Sequence, residues 1–319
     1  MRRGGRQTDP RATARAKPGP SDQLAGALNC YRDSATEGVW RTRPGLNKLA
    51  ALQLGTASAR VGQAVFQATR LDGSEFSFLF VGGKMYEYLW PTVEYVDRTP
   101  SAGSTAPVGF TIHPTNRIYC VMFADYMIVS DGANRPWKYD PQTRIATYLT
   151  DVAFVLFGPP WVYYSKLFGI KALERNVLVW SEELAPDIGY ENALYNNRWI
   201  LGQTSQDPLE VGYGTNTQIY LFRNVTALGI SGAVTEEFQT QGTADDYPTG
   251  IAKNAGASLI KDEGDLFFLD TLFRPTKIGP GDQFLPLWQS IWDTVKGFDT
   301  AAGALVSALS LPDNVPTWY

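Results

Sequence analysis

Phe78-Leu-Phe-Val-Gly-Gly-Lys-Met-Tyr-Glu-Tyr88 reads as strand, glycine turn, strand. The apolar and aromatic residues on either side suit a pleated, buried surface. A Gly-Gly pair between two such runs signals a two-residue hairpin, because both turn positions need positive φ. The pattern returns along the chain. Met127-Ile-Val-Ser-Asp-Gly-Ala-Asn-Arg-Pro-Trp-Lys-Tyr139 repeats it with Asp131-Gly132 in the turn. Val177-Leu-Val-Trp-Ser-Glu182, Ile219-Tyr-Leu-Phe-Arg-Asn-Val-Thr-Ala-Leu-Gly-Ile230 and Leu266-Phe-Phe-Leu-Asp-Thr-Leu-Phe-Arg-Pro-Thr-Lys-Ile278 follow. Their starts lie 49, 50, 42 and 47 residues apart. Periods of about 40–50 residues, each built of several short strands, are the sequence signature of propeller blades. The fold class this predicts is all-β, a β-propeller-like body of five to six irregular blades.

Working outward, the first blade runs from Val61 to Val96. Its strands are expected at 63–71, 75–81 and 84–90, with Leu71-Asp-Gly-Ser74 as a turn. The second spans Phe110 to Leu149 in four strands. The third uses the segments Trp161–Ala172 and Asn176–Glu182, then an irregular stretch over Pro186–Arg198 read as a long loop, with a strand resuming at Trp199–Leu201. The fourth covers Asp207–Phe238 and the fifth Thr249–Ile278. Beyond Gly281, Ile291, Val295, Phe298, Ala302, Leu305 and Leu309 recur at helical spacing and predict an amphipathic C-terminal helix over 289–309. The domain reading is a flexible basic arm at 1–22, an extended docking segment at 23–60, the propeller at 61–286, and a helix with an extended tail at 287–319.

Composition agrees with an all-β chain. Sixteen Tyr, sixteen Phe and nine Trp in 319 residues supply aromatic mass for sheet packing, and thirty Gly and twenty Pro supply turns. A net charge of −4 gives no whole-chain argument for nucleic-acid binding. Cys30 and Cys120 are too few and too distant for a disulfide scaffold, and the expectation is free thiols. The N-terminus lacks the apolar stretch of a signal peptide, and no run is long enough to span a membrane as a helix.

Charge is concentrated at the start. Arg2, Arg3, Arg6, Arg11, Arg15 and Lys17 face only Asp9 and Asp22 in a segment nearly free of large apolar residues. Such an arm cannot form a core. It reads as a solvated tail, as a segment that orders against an acidic partner or a phosphate backbone, or, from its Arg-rich and acid-poor bias, as an organellar targeting peptide. Arg41 and Arg43 alternate with Trp40 and Thr42, which places both arginines on one face of a strand.

Catalytic signatures are scarce. His113 is the single histidine, so histidine-based triads and multi-histidine zinc sites are largely excluded; it precedes Pro114 and reads as structural. Gly212-Tyr-Gly214 reads as a hairpin turn. The acidic pairs Glu182-Glu183, Glu236-Glu237, Asp245-Asp246 and Asp262-Glu263 read as solvated loop charge, with 242–250 as a loop. No cofactor and no metal site are expected, and the chain is expected not to be an enzyme. Two rivals stand beside that reading. A carbohydrate-active propeller enzyme would gather carboxylates at one channel mouth. A receptor-binding or lectin module would expose aromatics on one face.

Taken in order, several segments resemble one family. Glu37-Gly-Val-Trp-Arg-Thr-Arg-Pro-Gly-Leu46 resembles the opening segment of tail-tube proteins of short-tailed bacteriophages, known as tail nozzle, tail tubular protein B or packaged-DNA stabilisation proteins. Val129-Ser-Asp-Gly-Ala-Asn-Arg-Pro-Trp-Lys-Tyr139 resembles their recurrent blade hairpin, and Val179-Trp-Ser-Glu182 followed by Asp187 resembles their Trp-Ser-Glu segment. Ile219–Ile230, Gly250-Ile-Ala252 and Asp265-Leu-Phe-Phe-Leu269 resemble later elements in the same order. The similarity covers about residues 29–310. Family members generally run longer and continue with further strands where this chain ends. The resemblance implies a structural protein of the virion tail. It implies a homo-oligomeric ring, commonly of six copies, below the portal and adaptor. That ring would retain and conduct double-stranded DNA without sequence specificity, contact other tail proteins, and meet the host envelope at ejection. Arg2, Arg3, Arg6, Arg11, Arg15, Lys17, Arg41 and Arg43 are the candidate partner or DNA contacts. A position at the tail tip, as a receptor-binding module, is the alternative placement.

Overall fold

The computed structural model describes most of residues 61–286 and four short strands nearer the termini. The chain is all-β. Among the described residues the helical content is a single 3-10 turn, Gly256–Ser258. Strand β1 (Cys30–Arg32) pairs antiparallel with β2 (Trp40–Thr42). Five antiparallel meanders follow. Sheet I holds β3 (Gly62–Thr69), β4 (Glu75–Val81), β5 (Lys84–Leu89) and β6 (Glu94–Asp97). Sheet II holds β7 (Tyr119–Phe123), β8 (Tyr126–Ser130), β9 (Trp137–Asp140) and β10 (Ile145–Tyr148). In sheet III, β11 (Leu156–Tyr163), β12 (Lys166–Lys171) and β13 (Val177–Glu182) are joined by β14 (Ala185–Gly189) and β15 (Arg198–Ile200), both on β13. Sheet IV holds β16 (Leu209–Gly214), β17 (Gln218–Arg223), β18 (Ala227–Ser231) and β19 (Thr243–Tyr247). Sheet V holds β20 (Ile260–Asp262), β21 (Asp265–Leu269), β22 (Pro275–Gly279) and β23 (Gln283–Pro286). Near the C-terminus β24 (Ala308–Ser310) pairs with β25 (Pro316–Trp318).

The sheets stack face to face in chain order, and the core is a series of apolar layers between them. Phe78, Phe80 and Met85 of sheet I meet Met127, Val129, Trp137 and Tyr139 of sheet II. Phe123 and Ile128 of sheet II meet Leu167, Val177 and Val179 of sheet III. The alternate residues of sheet III, Phe168, Ile170, Leu178 and Trp180, meet Ile219, Leu221 and Ile230 of sheet IV. Tyr220 and Phe222 then meet Leu266, Phe268 and Ile278 of sheet V. A strand in an inner sheet therefore buries both faces. That is why Val177-Leu-Val-Trp180 and Ile219-Tyr-Leu-Phe222 are continuous apolar runs instead of alternating ones. Burying each such side chain contributes about 1.5–3 kcal/mol, so the layers supply most of the favourable free energy.

The turns obey local chemistry. Gly82 and Gly83 take φ of 58° and 75°, as the hairpin requires. Gly73 takes φ 83° while Asp72 accepts the Ser74 N–H at 2.9 Å. Two turns recur on one recipe, Asp-x-x-x-Arg-Pro, between the second and third strands of sheets II and V. Asp131 is buried and accepts the N–H groups of Ala133 at 3.0 Å and Asn134 at 2.7 Å. Asp270 is buried and accepts those of Leu272 and Arg274, each at 2.9 Å. Each proline then opens the third strand or stands just before it.

Several expectations change. The blade-three segment over 161–172, in which no turn is expected from glycine or proline, holds a hairpin that turns at Tyr164 and Ser165, whose φ values are 47° and 55°. No glycine marks this left-handed turn; strand pairing on both sides holds two ordinary residues there. Gly212 to Gly214 lie inside β16, not in a turn. Part of the expected loop over 186–198 belongs to β14, and part of 242–250 to β19, where Asp245 and Asp246 stand opposite Gly229 and Leu228. Ala308 and Leu309, expected at the end of a helix, are in β24, paired with Trp318 and Thr317; residues 289–307 lie outside the described residues.

Candidate functional site

The first strands of sheets II, III and IV, β7, β11 and β16, lie at one end of their sheets and adjoin one another. Between them and the approach to sheet V lies a cavity of about 340 Å³. Its wall includes Cys120, Met122, Pro159, Pro160, Trp161 and Tyr213. The local sequence explains the shape. Among the described residues each first strand pairs with one neighbouring strand, and its other edge lines the cavity. Pro159 and Pro160 are tolerated on such an edge because proline donates no N–H, and Gly158 at φ 67° accompanies the bulge that bends β11. Gly212 and Gly214 bring β16 against β11. A Cβ on Gly212 would stand 2.2 Å from the Trp161 ring, and one on Gly214 would stand 2.6 Å from the Val162 carbonyl oxygen.

Charge gathers beside this cavity. Glu210, the second residue of β16, is 3% exposed and accepts a charged hydrogen bond from Arg175 at 2.8 Å. Arg175 also donates to the Leu209 carbonyl at 2.9 Å and lies over the Phe157 ring. Burial pushes the Tyr119 phenol above its ordinary value; Arg117 opposes the shift and Glu210 adds to it. Burial likewise pushes up the Cys120 thiol and the Tyr213 phenol. At neutral pH these groups are protonated, so the wall offers an apolar surface with the Tyr213 phenol and the Cys120 thiol, beside a buried arginine–glutamate pair. Among the described residues no group of three or more His, Cys, Asp or Glu side chains is placed to hold a metal ion.

The residues singled out in the sequence fall elsewhere. Arg2, Arg3, Arg6, Arg11, Arg15, Lys17 and Arg43 lie outside the described residues, and Arg41 stands in β2 opposite Tyr31. His113 is structural: its Nδ1 accepts the Asn116 N–H at 3.0 Å, and its own backbone N–H donates to Asp131 at 3.1 Å. Ser181 of the Trp-Ser-Glu segment is buried and accepts the Leu167 N–H at 2.9 Å, while Glu182 pairs with Lys166. Asp187 pairs with Lys138, joining sheets III and II. These segments are corners of the architecture. Sequence reasoning missed Glu210 and Arg175 because it weighed only adjacent acids. The available signal was a lone glutamate inside the apolar run Leu209-Glu-Val211, where a charge needs a partner.

No protein-family model matches the chain, and no curated protein matches it. Solved structures do. The extracellular domain of a hybrid two-component system of B. thetaiotaomicron matches with a TM-score of 0.50 at 8% identity, over 85% of this chain and 33% of that one. Virginiamycin B lyase from Staphylococcus aureus matches with a TM-score of 0.43 at 10% identity, over 70% of each chain. A quinonprotein alcohol dehydrogenase-like protein from Bacteroides thetaiotaomicron matches with a TM-score of 0.44 at 10% identity, over 70% of this chain and 54% of that one. At such identities the likeness is one of fold. The expectation that the chain is not an enzyme is corrected here: enzymes are among the structures matched, so the lack of a recognisable motif does not exclude catalysis.

Proposed function

We propose that this chain is a structural component of the tail of a short-tailed bacteriophage. In this reading its five sheets are blades of an irregular propeller around the axial cavity. Copies of the chain, six in the family pattern, assemble into a ring below the portal and adaptor, and the ring retains and conducts genomic DNA. The observation that supports the reading is the order of the family-like segments. Val129–Tyr139, Val179–Glu182, Ile219–Ile230 and Asp265–Leu269 occupy second and third strands of sheets II, III, IV and V in turn. The mild negative charge suits a conduit, because an acidic lumen lets a phosphate backbone slide. The arm at 1–22 docks an acidic neighbour or the backbone itself.

The test is electron microscopy of the purified full-length protein with mass measurement in solution. A symmetric ring with an open channel is expected. A species that remains monomeric at tens of micromolar, alone and with its portal-side neighbours, refutes the assembly. Deleting residues 1–22 is expected to weaken ring docking or DNA retention; unchanged values for both would sink the role given to the arm.

A further inference from the structure

The wall of the cavity between β7, β11 and β16 carries no lysine, arginine, aspartate or glutamate. The charged groups beside it are paired: Arg175 bonds Glu210 at 2.8 Å, and Arg117 bonds the Tyr119 phenol. Pro159 and Pro160 give their stretch of β11 no N–H donors, so the wall there is apolar. Cys120, Met122 and Tyr213 are half-buried, and through them the cavity opens to solvent. Its shape is set in advance. The Trp161 ring stacks on Phe168 at 6.0 Å, and β16 closes on that ring at Gly212, where a Cβ would stand 2.2 Å away. Preformed, mostly apolar hollows with a few polar groups are the usual form of small-molecule sites.

One polar group on the wall lacks a partner. The Trp161 indole N–H is buried and has no acceptor among the described residues. Trp137 and Trp180 share that condition, but neither ring borders the cavity; both lie in apolar layers between sheets. A buried donor without an acceptor gains from one that an occupant supplies. We infer that the cavity binds a neutral, planar, two-ring aromatic molecule carrying one hydrogen-bond acceptor, seated beside Trp161 with the acceptor on the indole N–H. Volume sets the size: an apolar cavity of about 150 Å³ holds benzene, so the volume of about 340 Å³ here accommodates two fused rings. Neutrality follows from the wall. An anion would meet no cation on it and would lie beside Glu210, and a cation would meet no carboxylate there. The Trp161 and Tyr213 rings favour a flat aromatic occupant. The inference stands apart from the tail reading, since a chain that forms no ring keeps the same cavity.

The test is equilibrium dialysis of the full-length protein against quinoline, naphthalene and naphthalene-2-carboxylate. The first two share a shape and differ by one acceptor nitrogen. Quinoline is expected to bind with a Kd on the order of 50 µM. It should bind about fivefold more tightly than naphthalene, the gain of one hydrogen bond, although naphthalene is the more hydrophobic. The carboxylate should bind at least about tenfold more weakly than naphthalene. Trp161→Phe removes the N–H and should erase the preference for quinoline. Cys120→Leu narrows the cavity and should weaken quinoline and naphthalene alike by about fivefold. Where a variant fails to fold, the order of the three probes on the native protein still decides. A cavity that holds only water, read as no binding of any probe at about 0.2 mM, overturns the inference. So does naphthalene binding as tightly as quinoline, the carboxylate binding best, or quinoline binding that either folded variant leaves unchanged.

Discussion

Gly212→Ala is the substitution that most directly probes how the first strands meet. The added methyl would stand 2.2, 2.3 and 2.6 Å from three carbons of the Trp161 six-membered ring. Ordinary carbon–carbon contact lies at about 3.5–4.0 Å, so ring or strand must move by more than about 1 Å. The ring has little room to move. Trp161 is 4% exposed and stacks on Phe168 at 6.0 Å, and Phe168 stacks on Trp180 at 5.8 Å. Overpacking of this kind costs about 1–3 kcal/mol, and a strand against rigid indole belongs at the upper end. Lower unfolded-chain entropy returns about 0.4–1 kcal/mol. The net expectation is a loss of roughly 2 kcal/mol, or about 4–8 °C in Tm for a domain of this size. Urea titration with thermal melts measures it. Gly62→Ala is the control, since nothing lies within 4 Å of its Cβ position. Trp161→Leu in the Gly212→Ala background should recover part of the loss, as contacting residues do not add independently. If Gly212→Ala melts like Gly62→Ala, β16 does not approach β11 as described.

Three further outcomes follow from the same reasoning. Asp270→Ala should destabilise by about 2–4 kcal/mol in urea titration, because it leaves two turn N–H groups and Arg274 without a buried acceptor; an effect below about 0.5 kcal/mol would refute that account. Arg175→Met should cost about 3–5 kcal/mol by taking the ion-pair partner at 2.8 Å from the buried Glu210 carboxylate, and Arg175→Met with Glu210→Gln should cost clearly less than the single change. Glu191 is held below its ordinary value of 4.5 chiefly by the hydrogen bond from Lys171. A depressed carboxylate stabilises above the unfolded pKa and loses that contribution as pH falls through the folded one. Glu191→Gln should therefore flatten the decline of Tm below about pH 4.5, and an unchanged slope would remove Glu191 from the acid response.

Much of the fold was legible because its signals are local. Gly82-Gly83 and Asp72-Gly73 mark turns by the φ they allow, and apolar runs mark strands buried on both faces. What escaped detection lacked a local signal. Tyr164-Ser165 turns the chain with no glycine, because the pairing of β11 with β12 stabilises two left-handed residues that sequence statistics disfavour. Gly212-Tyr-Gly214 carries a turn signature but serves close strand approach; the same lack of Cβ answers both needs, and only a neighbour such as Trp161 distinguishes them. The candidate site was hidden for a related reason. Cys120, Trp161 and Tyr213 come from three sheets, and nothing in their spacing announces that they share a cavity wall.

The sequence by itself determined that the chain is all-β, repeated at an interval of 42–50 residues, with apolar strands and polar turns. Period and turn chemistry act within a few residues, so they can be read along the chain. The tertiary structure decided which strand faces which layer, that the first strands of three sheets line a cavity, and that Glu210 finds Arg175. Those facts join residues tens of positions apart, and packing between sheets sets them.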